Sequence, residues 1–167
     1  MKTIGLLSDT HGYWDEKYTE FFEKCDEIWH AGDIGNIEII QKLASKGQKI
    51  RAVYGNIDDQ SVKYLYGLNE IFFCEGLKIF MTHIGGYPGK YTARVSSIIK
   101  SEKPNIYICG HSHICKVVPD KTNNLLHMNP GAYGHYGFHV VRTILTFEIH
   151  WDKIQNLNVI ELGLRGR

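Results

Sequence analysis

Two carboxylates, one amide and four imidazoles draw attention first, because short apolar runs lead up to them. Ile4-Gly5-Leu6-Leu7-Ser8 leads into Asp9-Thr10-His11-Gly12. Residues two apart on an extended backbone project to one side. Asp9 and His11 are therefore expected to converge on one ion, with Gly12 letting the chain turn away. The same design returns at Gly32-Asp33, Gly55-Asn56, His83 and Gly110-His111-Ser112-His113. A lone Asp-x-His is a weak signal, whereas a repeated pattern of strand end followed by donor is a strong one. Mixed oxygen and imidazole donors suit Mn²⁺, Fe²⁺, Zn²⁺, Ni²⁺ or Co²⁺. No cysteine belongs to the set, which argues against a thiolate zinc site. Seven donors are too many for one tetrahedral ion and suit two ions that share a carboxylate.

These donors need strand ends to carry them. Lys2–Ser8, Glu27–Ala31 and Lys49–Tyr54 read as strands. Helices are predicted between them over Trp14–Cys25 and over Ile37–Ser45, the latter with Asn36 as N-cap and Gly47 as C-cap. That alternation implies parallel pairing with right-handed crossovers. Glu75-Gly76 marks a hairpin between Glu70–Cys74 and Leu77–Thr82. A helix over Tyr91–Ser101 and a strand over Ile106–Cys109 follow. Short strands are predicted at Cys115–Pro119 and Leu125–Met128, then a turn at Asn129-Pro130-Gly131. Long strands are predicted at Phe138–Ile149 and Lys153–Leu162. Helices among early strands and antiparallel β-structure late in the chain point to two packed sheets with helices outside. In such sheets ligands bind beyond the carboxyl ends of the strands, so the dispersed donors should meet there.

Composition narrows the function classes. A chain of 167 residues, 43% hydrophobic, suits one globular domain spanning 1–167. A net charge of +1 gives no strong nucleic-acid-binding signal, since modules built on basic surfaces carry a Lys/Arg excess. The first apolar run is too short for a signal peptide, and no run approaches a membrane span. Cys25, Cys74, Cys109 and Cys115 form no Cys-x-x-Cys pair and read as reduced thiols. A cytoplasmic protein without a membrane partner is the expectation. The oligomeric state stays open, a homo-oligomer included.

Taken together, Asp9-x-His11, Gly32-Asp33, Gly55-Asn56, His83 and Gly110-His111-x-His113 resemble the five motifs of the calcineurin-like metallophosphoesterases. The spacing is similar to the smallest branch, the bacterial and archaeal phosphodiesterases, which shares its fold with a scaffold subunit of retromer. The resemblance implies an α/β fold, a four-layer α/β/β/α sandwich of two mixed sheets with flanking helices. It implies two divalent metal ions, with Mn²⁺ expected first. Asp9, His11, Asp33 and His113 would hold one ion. Asp33, Asn56, His83 and His111 would hold the other, with Asp33 bridging and holding the hydroxide that attacks phosphorus in line. The implied substrate is a small molecule containing a phosphodiester.

Several positions depart from the family pattern or stand outside it. The family's phosphomonoesterases place a histidine, thought to be a general acid, after the ligand asparagine; Ile57 stands here and donates no proton. Ile84 and Gly85 follow His83, where the branch often has glycine and then histidine. Ala132 follows the Asn129-Pro130-Gly131 turn in place of serine. His30 reads as a core histidine or a residue behind the ligands, Asp58 as a residue behind the ligands, and Gly85-Gly86-Tyr87 as a substrate lip, with a mobile surface connection as the plainer reading. His127, His135, His139 and His150 read as structural or surface residues. Two other functions remain in view: a protein-binding scaffold that kept the fold with weak chemistry, and a phosphomonoesterase. Retention of all seven donors favours an enzyme over a scaffold, and Ile57 favours a phosphodiesterase over a phosphomonoesterase.

Overall fold

The computed structural model describes residues 1–166. Among the described residues, ten strands form two mixed sheets. β1 (Lys2–Leu7), β2 (Glu27–His30) and β3 (Lys49–Ala52) pair in parallel. β9 (Val141–His150) runs antiparallel on the other side of β1, and β10 (Lys153–Leu164) follows it at the edge. The first sheet therefore has the order β10-β9-β1-β2-β3. The second comprises β4 (Asn69–Cys74), β5 (Leu77–Thr82), β6 (Ile106–Ile108), β7 (Cys115–Asp120) and β8 (Leu125–Pro130), in the order β4-β5-β6-β8-β7. The pairing of β10 with β9 shifts register twice, between Gln155 and Asn158 and between Glu161 and Gly163.

Strand alternation sets the layers. Ile4 and Leu6 of β1, Trp29 of β2, and Leu145 and Phe147 of β9 face Ile79 and Met81 of β5 and Ile108 of β6 between the sheets. The opposite faces carry helices. α1 (Thr19–Glu23), α2 (Ile37–Leu43) and α3 (Gln60–Leu65) cover the first sheet through Phe22, Ile39, Leu43 and Val62. α4 (Ala93–Glu102) covers the second through Val95 and Ile99, against Phe80 and Tyr107. This is the expected α/β/β/α sandwich. No described helix is long and apolar enough to cross a membrane. The four cysteines are free thiols.

Local departures have physical causes. The helix expected over Trp14–Cys25 is shorter: Asp15 caps a 3-10 turn over Glu16–Tyr18, and only Thr19–Glu23 is α-helical. Tyr18 leaves helical geometry and its hydroxyl donates to the Leu162 carbonyl on β10. Tyr18, Phe22 and Cys25 are buried, and Phe21 is partly so. α3 has no counterpart in the sequence reading because its one buried residue, Val62, makes no periodic stripe. Its legible mark is Asp59, whose carboxylate accepts the Ser61 and Val62 N–H groups. Asn129 and Pro130 end β8 and form no turn; the left-handed residue is Gly131. Phe138–Val140 lie outside β9 and form a loop beside the donor-bearing strand ends.

A buried ionic knot ties the two sheets. Glu27, 1% exposed, accepts from Lys2 at 2.5 Å, Trp29 at 3.1 Å and Arg51 at 2.9 Å. Arg51 reaches across to Glu70 on β4 at 2.9 Å and lies 3.9 Å over the Phe72 ring. Removing the carboxylate strands cationic and N–H groups that water reaches poorly. Glu27→Ala should cost about 3 kcal/mol, seen as a lower denaturant midpoint with an unchanged slope.

Candidate metal centre

The donors meet where β1, β2 and β3 of one sheet and β5 and β6 of the other end side by side. The means differs from the expected strand pleat. Asp9 (φ 54°), His11 (φ 48°), Asp33 (φ 53°), His111 (φ 66°) and His113 (φ 60°) all adopt left-handed backbone. Asp9 and His11 therefore converge through a tight turn just past β1. Non-glycine residues rarely adopt this conformation, and those that do cluster at functional sites. Neighbouring loops hold the turns in place. Asp9 N–H donates to the Gly32 carbonyl at 3.0 Å, His11 N–H to Asp33 at 3.0 Å and Gly12 N–H to Ile34 at 2.8 Å. From the other side, Gly134 N–H donates to the Asp9 carbonyl at 3.0 Å.

Each carboxylate has one oxygen fixed and one turned inward. His111 N–H donates to Asp9 Oδ2 at 3.1 Å, and Ile57 N–H donates to Asp33 Oδ1 at 3.0 Å. Asp9 Oδ1 then lies 3.0 Å from His113 Nε2 and 3.8 Å from both His11 Nε2 and His83 Nε2. Asp33 Oδ2 lies 3.2 Å from His83 Nε2 and 3.7 Å from His11 Nε2. The chain packs so closely that no side chain fits at two adjoining positions. A Cβ at Gly55 would strike the Asp33 carboxylate, and one at Gly110 would strike Ser8 Oγ and Asp9 Oδ2.

The imidazole tautomers follow from their other nitrogens. His83 Nδ1 is 2.7 Å from the Ala31 carbonyl, which only accepts, so Nδ1 carries a proton and Nε2 is the nitrogen left to ligate once the ring is neutral. His139 Nε2 is 3.0 Å from the Gly134 carbonyl, so His139 Nδ1 is an acceptor. Burial lowers the His139 pKa and keeps the ring neutral. His113 Nδ1, 3.2 Å away, donates to it and leaves His113 Nε2 unprotonated toward Asp9. Two groups of converging donors result: Asp9, His11 and His113, and Asp33, His83 and His111. Asp9 Oδ1, His11 Nε2 and His83 Nε2 are buried with no hydrogen-bond partner. A buried donor set facing itself without partners is the arrangement a cation satisfies.

Electrostatics point the same way. Burial works to raise the Asp9 carboxyl, but the neighbouring His11, His113 and His83 rings hold it well below the usual carboxylate range. Burial works against Asp33 too, and the His83 side chain and Ile57 N–H keep it low. For His83, burial is outweighed by Asp33 and Asp9, which raise its pKa. His111 is lowered by burial and by the neighbouring His83.

The remaining expected residues take distinct places. Asn56 follows Gly55 at the exposed rim beside Asp33. Ile57 has an exposed side chain and contributes its backbone N–H. His30 is fully buried, and burial drives its pKa down to about 3. It accepts Gly32 N–H at Nδ1 (3.2 Å) and donates from Nε2 to Thr10 Oγ1 (3.0 Å), which donates to the Ile34 carbonyl (2.9 Å). Asp58 accepts three backbone N–H groups: Ile34 at 3.1 Å, Gly35 at 2.7 Å and Gly55 at 2.8 Å. It therefore locks the Asp33 loop to the Asn56 loop. Gly85, Gly86 and Tyr87 line a pocket that His111 also lines.

Three further residues shape the site. His139 sets the His113 tautomer. Tyr136 lays its ring 5.1 Å from that of His11. Asn129 ties the His111 loop down through Nδ2, to the Gly110 carbonyl at 2.9 Å and Ser112 Oγ at 3.1 Å. The four-residue spacing of His135 and His139 was visible, but in a loop it says nothing about a partner 26 positions away.

A family model described as the calcineurin-like phosphoesterase superfamily domain matches residues 1–152. The chain belongs to that superfamily. Its superfamily membership and the two donor groups support a hydrolase that uses divalent metal ions. No curated protein sequence matches it. Among solved structures, an archaeal phosphodiesterase is 25% identical, with a TM-score of 0.73 over 96% of this chain and 99% of that one. A Thermotoga maritima protein is 21% identical, with a TM-score of 0.72 over 97% of this chain and 100% of that one. Wild-type Vps29 of Entamoeba histolytica, solved with zinc, is 14% identical, with a TM-score of 0.75 over 98% and 99%; at that identity the likeness concerns the fold.

The His113–His139 contact yields a measurable expectation. Replacing the acceptor frees the His113 ring to flip or change tautomer. Partners of this kind typically contribute 10–100-fold to metal affinity. His139→Leu should weaken metal binding by about that factor, and His139→Gln, which keeps an acceptor, should lose less. Calorimetric metal titration that finds His139→Leu equal to the parent removes the role.

Proposed function

We propose that this chain is a metal-dependent phosphodiesterase that uses two divalent ions, Mn²⁺ foremost, with residues 1–167 as one metallophosphoesterase domain. The observation that carries this reading is the set of buried donor atoms left without partners, Asp9 Oδ1, His11 Nε2 and His83 Nε2. Likeness to an archaeal phosphodiesterase supports the substrate class. Asp9, His11 and His113 would hold one ion, and Asn56, His83 and His111 the other. Asp33 would serve both, since its Oδ2 faces His11 and His83 alike. Bound there, two divalent ions supply a hydroxide nucleophile near neutral pH and clamp the phosphoryl oxygens.

The protein's own groups orient and tune. The fixed oxygens of Asp9 and Asp33 keep both carboxylates from rotating, and low carboxyl pKa values keep them anionic. With the four ligating imidazoles neutral, two carboxylates and one hydroxide leave two divalent ions about one positive charge in excess by formal count. A diester monoanion balances that charge, and a monoester dianion overshoots it. No side chain at position 57 donates a proton to a leaving oxygen. Asp58 does not replace it, because its carboxylate is buried and engaged by three N–H groups.

Metal titration tests the ligand assignment. Saturating Mn²⁺ should load two ions per chain, and Asp33→Ala should lose both. His83 holds its proton more tightly than an ordinary histidine, and a ligating imidazole must release that proton. Affinity should therefore be weakest below the His83 pKa and rise as pH rises through it. A stoichiometry of one with full activity, or an affinity flat in pH, contradicts the assignment.

Leaving-group dependence tests the role of position 57. General acid catalysis contributes about 10²–10⁴-fold, mostly for poor leaving groups. The parent should hydrolyse aryl diesters and turn over alkyl monoesters weakly. Ile57→His should gain most on alkyl esters and flatten the dependence on leaving-group pKa. A parent that already shows a flat dependence has another proton donor.

A further inference from the structure

The loop between β8 and β9 carries Tyr136 and His139, and its inner side touches the donors. Gly134 N–H donates to the Asp9 carbonyl, and His139 Nδ1 accepts from His113. Gly137 completes the contact. Its φ of 126° is one that glycine adopts readily. A Cβ there would strike His113 Nδ1 and crowd His139 Nδ1. The bare Gly137 backbone is therefore the wall against which the His113 ring sits.

What keeps that wall in place lies outside the loop. Tyr136, Phe138 and Val140 are 71%, 102% and 72% exposed, so these side chains anchor the loop poorly. The residue just past β10 supplies the hold. Arg165 N–H donates to the Val140 carbonyl at 2.9 Å, Arg165 Nη1 donates to the Gly137 carbonyl, and the Arg165 carbonyl accepts from His135 Nδ1. A carbonyl only accepts, which makes the His135 nitrogen the donor. His135 in turn meets Tyr13 edge-on, with ring centres 4.3 Å apart. One residue thus grips the loop near its start, at its middle and at its end. The guanidinium bond bears most directly on the donors, because it holds the same Gly137 unit that seats His113.

We propose that Arg165 is a positioning residue for His113: its guanidinium holds Gly137 against the His113–His139 pair and so keeps His113 Nε2 aimed at Asp9 Oδ1, a role that rests on the two-ion reading above. A plain anchor for the end of β10 would change stability and leave the donors alone. Calorimetry with Mn²⁺ separates the two roles, resolving the binding step that His113→Ala abolishes from the step that His83→Ala abolishes. Groups that orient a ligand contribute about 10–100-fold to affinity. Arg165 acts one link further out, so Arg165→Ala should weaken the His113 step by about 3–10-fold. The His83 step should stay as it is, with little change in melting temperature. Arg165→Lys, which keeps a donor, should recover part of the loss. His135→Phe keeps an aromatic ring against Tyr13 but removes the donor, and should weaken the same step. In the metal-free protein, nitrogen-15 spectra should show a single His113 tautomer in the parent and averaging of its two ring nitrogens in Arg165→Ala. An unchanged His113 step in both variants, an equal loss at both steps, or a lower melting temperature with the His113 step intact overturns the role. A parent that binds no Mn²⁺ yet shows the tautomer change keeps the positioning role and loses the two-ion reading. Two ions bound alike by the parent and both variants do the reverse.

Discussion

Electron pairs face one another at the carboxyl ends of β1, β2, β5 and β6, and the surrounding chain is arranged to keep them there. One oxygen each of Asp9 and Asp33, with the Nε2 atoms of His11, His83 and His113, converge within hydrogen-bonding or ion-pair distance. Left alone, such a cluster would relax by rotating side chains outward or by taking up protons. Rotation is blocked, because His111 and Ile57 N–H groups hold the second oxygen of each carboxylate and Ala31 and His139 hold the second nitrogen of two rings. The energy needed to keep like donors together is drawn from hydrogen bonds one shell further out.

That outer shell explains why polar residues sit where apolar ones would pack more simply. Ser8, Asp9, Thr10, His30, Asp33 and Asp58 are all nearly or fully buried. His30 and Thr10 bond the Asp33 loop to the Asp9 loop, and Asp58 bonds it to the Asn56 loop. Three chain segments that never pair as strands at this level are thus made one rigid unit. Rigidity of this kind fixes donor spacing before any ligand arrives, which matters more for a site of weak individual bonds than for a packed core.

The order of strands, the two sheets and the donor set were legible in the sequence because each rests on a local rule: apolar runs, turn residues, and polar types at run ends. What escaped was set by tertiary context. Backbone at Asp9 and His11 looked extended from spacing alone, but the left-handed turns are held by hydrogen bonds to the Gly32 and Asp33 carbonyls and from the Gly134 N–H, all on distant segments. The helix at Trp14–Cys25 looked continuous, but Asp15 caps a later start and Tyr18 is claimed by Leu162 on β10. α3 carried too little apolar periodicity to register. His139 was read as a bystander because a loop histidine announces no partner. Asp58 and His30 were read as lying behind the ligands, yet which backbone groups they bind depends on loops that meet only in the fold.

The irregular last strand has a consequence of a different kind. β10 runs for twelve residues along an open edge of its sheet, long enough to template pairing with a further chain. Its two register shifts, at Gln155–Asn158 and Glu161–Gly163, break the even row of outward N–H and C=O groups. Interrupted edges of this sort resist strand-to-strand growth between molecules. A protein that exposes Val159 and Leu164 on the same strand thereby keeps a guard against fibrillar aggregation in its backbone, beside the exposed charges of Lys153 and Glu161.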